Sequence, residues 1–228
     1  SWSELLKEPD CTLRFPTHLY KNKYNLPKNS ILMQVREAGT FEKRFVDDNE
    51  EPTRFVELNT FFDLAEYYAN KGYKVVRIGD RNQTPFPKHE NIIDFAMFDD
   101  RNMMDDLFLI SNCKAFISCD SGIWPMAAAM KKNLVLCNVM SVFYPFRLEK
   151  IDGIYKLEKR KTAIVDWLPK ETTRILYKKF DIEQNLNLKS ETLGGCLSTF
   201  SVNNPIKRIE DNSFGEIRDA LELSLIHI

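Results

Sequence analysis

The sequence predicts an α/β fold built on a doubly wound parallel sheet. Short apolar runs recur along the chain, segments with helical spacing separate them, and glycine, proline or asparagine marks most of the changes. Strands that alternate with helices pair in parallel, because a parallel neighbour is reached only through a crossover long enough to hold a helix. With 228 residues, 43% of them hydrophobic, the chain can bury one good core or two small ones.

Residues 1–30 hold aromatics and turn residues without a clear element, and read as the remnant of an upstream domain or a linker. Ile31-Leu32-Met33-Gln34-Val35-Arg36 follows Pro27 and Asn29 and stops before Gly39, as a buried strand does. Residues 37–52 are charged and turn-rich. Phe61, Leu64, Ala65, Tyr68 and Ala69 then recur at helical spacing, with Thr60 as the expected cap and Gly72 as the stop. Residues 73–78 form a strand that ends in Gly79-Asp80, and Ile92-Ile93-Asp94-Phe95 is a shorter one beyond Pro85 and Pro87.

Asn102 is placed to cap a helix running to Asn112, with Asp105 and Asp106 favouring its dipole from the first turn. Residues 114–119 are a strand, Asp120-Ser121-Gly122 a turn, and Pro125 suits the first turn of a helix that reaches Lys131. A strand over 133–139 is expected to close the series. Further on, 141–161 is aromatic and charged, 170–180 reads as helix, and 186–205 is turn-rich. Ser213 and Glu216 form a capping-box pattern ahead of Ile217, Ala220 and Leu221. The domain is therefore expected to span 31–222 with a C-terminal extension. Residues 223–228 resemble a translated sequencing adapter and are expected to be a tail outside it.

Composition excludes several classes of partner. Lys and Arg number 32 against 33 Asp and Glu, so no global field draws the chain to nucleic acid. Apolar runs are too short for an integral membrane segment. Five cysteines without paired spacing and three histidines argue against a zinc site or a histidine triad, and suggest a reduced, cytoplasmic setting. Neither a glycine-rich dinucleotide fingerprint nor a P-loop is present, so no nicotinamide or other cofactor is expected.

In an open α/β sheet, ligands bind beyond the carboxyl ends of the strands. The residues to inspect there are Arg36 and Glu37, then Gly79, Asp80 and Arg81, and finally Asp120, Ser121 and Gly122, with Arg77 near the end of its strand. Gly122 would let a phosphate approach the backbone, Ser121 offers a hydroxyl, and the following helix start offers free N–H groups. The plainer alternative is that the arginines pair with acidic neighbours and that Asp80 and Asp120 shape turns.

Val35-Arg36-Glu37-Ala38-Gly39, the strand end Val75 to Asp80, Ile92 to Phe95, and Phe116-Ile117-Ser118-Cys119-Asp120-Ser121-Gly122 occur in the order found in a family of bacterial glycosyltransferases, which the chain resembles from about Tyr24 to Leu221. Asp120-Ser121-Gly122 before Ala127-Ala128-Ala129 looks like the donor-site turn of heptosyltransferases. Val35-Arg36 is similar to the phosphate-binding arginine strand of some fucosyltransferases. The resemblance implies the donor-binding half of the two-domain glycosyltransferase B architecture, with a Rossmann-like sheet. It also implies a nucleotide-sugar as donor substrate, a surface glycan or lipid-linked molecule as acceptor, and a cytoplasmic place peripheral to the inner membrane.

On this reading Arg36, Arg77, Gly79, Asp80, Asp120, Ser121 and Gly122 bind the donor phosphates without a metal, and Glu37 is the acid/base residue. Trp124-Pro125-Met126 replaces the histidine heptosyltransferases carry soon after the glycine, and Gln34 precedes Val35-Arg36 where a histidine is common. A nucleotide-sugar epimerase and a non-catalytic nucleotide-binding module are the alternative functions.

Overall fold

A computed structural model describes residues 12–37, 56–119, 121–139, 146–152, 154–159, 168–182 and 206–226. The strands are β1 (Ile31–Gln34), β2 (Val75–Ile78), β3 (Ile92–Asp94), β4 (Ala115–Ser118), β5 (Leu134–Val139), β6 (Phe146–Ile151), β7 (Ile154–Lys159), β8 (Thr173–Tyr177), β9 (Lys179–Ile182) and β10 (Ile206–Glu210). The helices are α1 (Leu58–Asn70), α2 (Met103–Asn112), α3 (Trp124–Ala129) and α4 (Phe214–Ile226). Six strands form one sheet in the order β3-β2-β1-β4-β5-β8, and every pair in it is parallel. The hairpins β6-β7 and β9-β10 are antiparallel additions.

Alternation along each strand sends side chains to opposite faces, and each face has its own helices. Ile31, Met33, Val35, Val75, Ile117 and Val135 pack under α1 and α4. Leu32, Val76, Ile78, Phe116, Leu134 and Leu136 pack under α2 and α3. Burial on both sides explains why the central strands read as continuous apolar runs.

Local chemistry sets several boundaries. Asn102 accepts from Met104 N while its own N–H donates to Asp105, a complete capping box for α2. Ser213 and Glu216 make the expected reciprocal bonds ahead of α4. Gly72 ends α1 at φ +85°, where its N–H returns to Ala69 O. Thr60 is not the cap of α1: the helix starts at Leu58, inside the reach of Asp211, whose carboxylate takes the Glu57 N–H at 2.6 Å.

The expected helix over 170–180 is instead strand, as β8 and the start of β9. β8 pairs along β5, so the sheet continues beyond Val139 rather than closing there. Thr173, Ile175 and Tyr177 are strand formers, and an open β5 edge decides the outcome over local periodicity.

Residues 12–30 lie against the sheet and α2 through several contacts. Leu13 N donates to Ala129 O, Tyr20 stacks on Phe108 with centroids 4.5 Å apart, and Leu26 is buried in the core. Helix α4 also runs four residues into the stretch expected to be a tail, and Ser224 is buried there with its hydroxyl on Ala220 O. No helix among the described residues is long and apolar enough to cross a membrane.

Candidate functional site

The order in which strands are added to the sheet reverses between β1 and β4, which themselves run parallel. The chain leaves β1 for α1 on one face and leaves β4 for α3 on the other, so the two connections part at the carboxyl edge, along the seam between the strand ends. Arg36 and Glu37 stand on one lip, both half-buried, and Ser121 and Gly122 on the other. Gly79 and Asp80 follow β2 beside the first lip, where a Cβ added at Gly79 would lie 3.9 Å from Val35 O. Asp120 lies outside the described residues.

Glu37 is committed to structure. Its two carboxylate oxygens accept from Thr84 N and Thr84 Oγ1, each at 2.6 Å, and so hold the loop between β2 and β3. Arg77 is engaged inside the fold as well. It is fully buried, donates from Nε to Asp94 at 2.6 Å and from Nη1 to Gln83 Oε1 at 3.1 Å, and lies over the Phe86 ring. A guanidinium enclosed in this way does not reach a phosphate, so Arg77 takes the ion-pair alternative. Asp80 takes the turn alternative, with Oδ1 on Asn82 N at 2.8 Å.

Gly79 has φ +137°, its carbonyl accepts from the Arg101 guanidinium, and an added Cβ would sit 3.1 Å from Gln83 Oε1. Only glycine fits this corner without strain. Gly122 is different: it is exposed, and an added Cβ would meet nothing within 4 Å. The helix after it contributes less than expected. α3 has six residues, Pro125 has no N–H, and the Met126 N–H is already on Ile123 O. What this lip offers an anion is the backbone of the turn itself.

No family model matches the chain, and no curated protein matches it. Among solved structures, the ADP-heptose LPS heptosyltransferase II of E. coli is similar at a TM-score of 0.48 and 14% identity, over 90% of this chain and 49% of that one. A glycosyl transferase family 9 protein of Veillonella parvula DSM 2008 gives the same TM-score and identity over 100% of this chain and 52% of its own. Both are glycosyltransferases. The chain spans about half the length of each.

Four polar residues at this edge escaped the sequence reading. Gln34 and Ser118 are buried in the seam itself, Gln83 ties the β2 loop to Val35 O at 2.7 Å, and Arg101 joins Gly79 to the start of α2. Gln34 and Ser118 had a visible signal, each being the one polar residue of an apolar strand. Arg101 and Gln83 had none, since their partners are set by loop geometry. The three cysteines among the described residues are buried and free. Burial pushes the Cys113 thiol up to about 12, and the adjacent Cys119 thiol together with burial holds Cys137 well above its usual range.

Asp106 is the perturbed acid of this rim. Burial raises its carboxyl to about 6, the Arg101 guanidinium opposes that rise, and Asp105 adds to it. A carboxyl that ionises less readily in the folded chain takes up a proton there first as pH falls. Stability is therefore expected to rise as pH drops from about 6 towards 4, and the ionised group costs stability above 6. Asp106→Asn should add about 1–2 kcal/mol at pH 7.5 and flatten that slope, read by urea unfolding across the pH range. A variant less stable than the parent at pH 7.5 would reject this assignment.

Proposed function

We propose that the chain is the donor-binding half of a glycosyltransferase that moves a sugar from a nucleotide-sugar to a surface glycan or lipid-linked acceptor. One observation carries the reading. The seam between β1 and β4 has a cation on one lip, Arg36, and on the other an open glycine turn at Ser121-Gly122 where an anion can meet the backbone.

In the transfer, the bond from the anomeric carbon to the phosphate oxygen breaks, and its electron pair leaves with the nucleotide. The acceptor hydroxyl oxygen forms the new bond, and its proton passes to the departing phosphate or to solvent water. Charge growing on the leaving phosphate is offset by Arg36 and by the backbone N–H groups of the turn, without a metal. The nucleotide-sugar is substrate, and no further cofactor enters the proposal. The proposed setting is cytoplasmic, against the inner face of a membrane that presents the acceptor.

Nucleoside mono- and diphosphates are expected to raise the melting temperature of the chain, because a ligand that binds only the folded state stabilises it. Gly122→Val should weaken that binding by about tenfold and leave the fold intact, since an added Cβ meets no neighbour there. Unchanged affinity in the folded variant would place the ligand elsewhere. Because Thr84 closes both oxygens of Glu37, a second reading has support: a nucleotide-binding module without turnover. The full-length protein decides between them, by nucleotide release from sugar donors with acceptor present.

A further inference from the structure

Gln34 ends β1 and Ser118 ends β4, and the two stand in register across the seam. They are 8% and 0% exposed. A polar side chain buried inside a sheet is costly unless its hydrogen bonds are made, so each donor and acceptor here can be counted.

Ser118 Oγ lies 3.0 Å from Gln34 Oε1 and donates to it. The orientation of the Gln34 amide is fixed from its other end, where Nε2 donates to Val35 O at 3.1 Å. A flipped amide would set two oxygens against each other. Val35 O takes a second N–H from Gln83 Nε2, Gln83 Oε1 accepts from Arg77, and Arg77 donates to Asp94. A line of directed bonds thus runs from β3 through β2 and β1 and crosses the seam to β4.

At its far end Ser118 has one proton and two acceptors at 3.0 Å, Gln34 Oε1 and Cys119 O. In its 3.4 Å contact with Ser121 Oγ, Ser118 is therefore the acceptor and Ser121 the donor. If Ser118 turned its proton to Ser121 instead, the buried Gln34 Oε1 would lose its partner at a cost of about 1–3 kcal/mol.

We propose that Gln34 and Ser118 are positioning residues for the ligand-binding turn. Their side-chain bond fixes the spacing of the two lips and gives Ser121 the acceptor that orients it, so that the Ser121-Gly122 backbone is held ready for an anion. The ligand's identity rests on the function proposed above, whereas the bond network does not. Both residues act through Ser121.

The test titrates inorganic pyrophosphate into the protein, well below the melting temperature of every variant, and follows amide hydrogen exchange at Ser121 and Gly122 without ligand. Ser118→Ala and Gln34→Met should each weaken pyrophosphate about fivefold, the effect of one net hydrogen bond. The double variant should be no weaker than either single, since both remove one shared bond. Ser118→Thr, which keeps the hydroxyl, should restore affinity, and exchange in the turn should quicken in both single variants. If the parent protein binds neither pyrophosphate nor a nucleoside diphosphate, the ligand reading fails and the exchange comparison alone decides the network. Unchanged exchange in both single variants, or additive losses in the double, would overturn the proposal. Should Ser118→Thr not fold, the double-variant comparison still decides it.

Discussion

Arg77→Ala is expected to lower the unfolding free energy of the domain by about 3–5 kcal/mol, because it breaks a buried ion pair by removing one partner. Arg77 has no exposed surface, and its Nε sits 2.6 Å from Asp94 Oδ1. Its removal leaves the Asp94 carboxylate with only the Phe86 N–H, and leaves Gln83 Oε1 without the guanidinium. Arg77→Lys should recover little, since an ammonium lacks the fork that serves Asp94 and Gln83 together. Replacing both partners, as in Arg77→Met with Asp94→Leu, should cost less than the two single changes summed, because no charge is then left buried alone. Urea unfolding of the five variants, the two single changes of the pair included, measures all of this. A loss below about 1 kcal/mol in Arg77→Ala would show that water or a neighbour takes the place of the guanidinium.

The same pair shows where sequence reading runs out. Arg77 and Asp94 are opposite one another in the parallel register of β2 and β3. Register depends on how strands align in space, and neither residue type nor spacing along the chain encodes it. Gln34 and Ser118 meet for the same reason, and Glu37 meets Thr84 through a loop 47 residues away in sequence. Each residue was visible as polar at a strand end, and its partner was not. The position of the site was more legible than its contacts: in a parallel sheet every carboxyl end falls on one edge, so Arg36, Gly79 and Ser121 had to converge once the strands were recognised.

Strand recognition followed burial in turn. β1, β2, β4 and β5 are covered on both faces, so their apolar runs are unbroken. β8 is half-buried at the sheet's end, with Arg174 between Thr173 and Ile175, and its sequence fits a helical period as readily as an alternating one. Only the waiting β5 edge separates the two. Capping, a strictly local event, read well at Asn102 and Ser213. It misled at Thr60, where the distant Asp211 supplies the acceptor.

Arg36→Ala is expected to cut turnover of the full-length protein about a hundredfold, while a chelator leaves the parent enzyme unaffected. A single preorganised electrostatic donor contributes about 2–4 kcal/mol to a developing charge, and a hundredfold corresponds to about 2.7 kcal/mol. Arg36 is the candidate because it alone of the two predicted arginines sits at the seam with part of its surface open, Arg77 being enclosed. Metal-dependent transfer would need carboxylates gathered against the diphosphate, and among the described residues those of this rim are engaged elsewhere. Asp105 takes the Asn102 N–H and the Tyr20 hydroxyl, Asp106 pairs with Arg101, Asp99 with Arg81, and Asp80 closes its own turn. Arg36→Lys should retain part of the activity by charge while losing the paired hydrogen bonds of a guanidinium to phosphate. The measurement is nucleotide release from a panel of sugar donors with acceptor present, for the parent and both variants, with and without chelator. Activity abolished by chelator and restored by magnesium or manganese, or an Arg36→Ala variant at parental rate, would assign the leaving-group charge to a different partner.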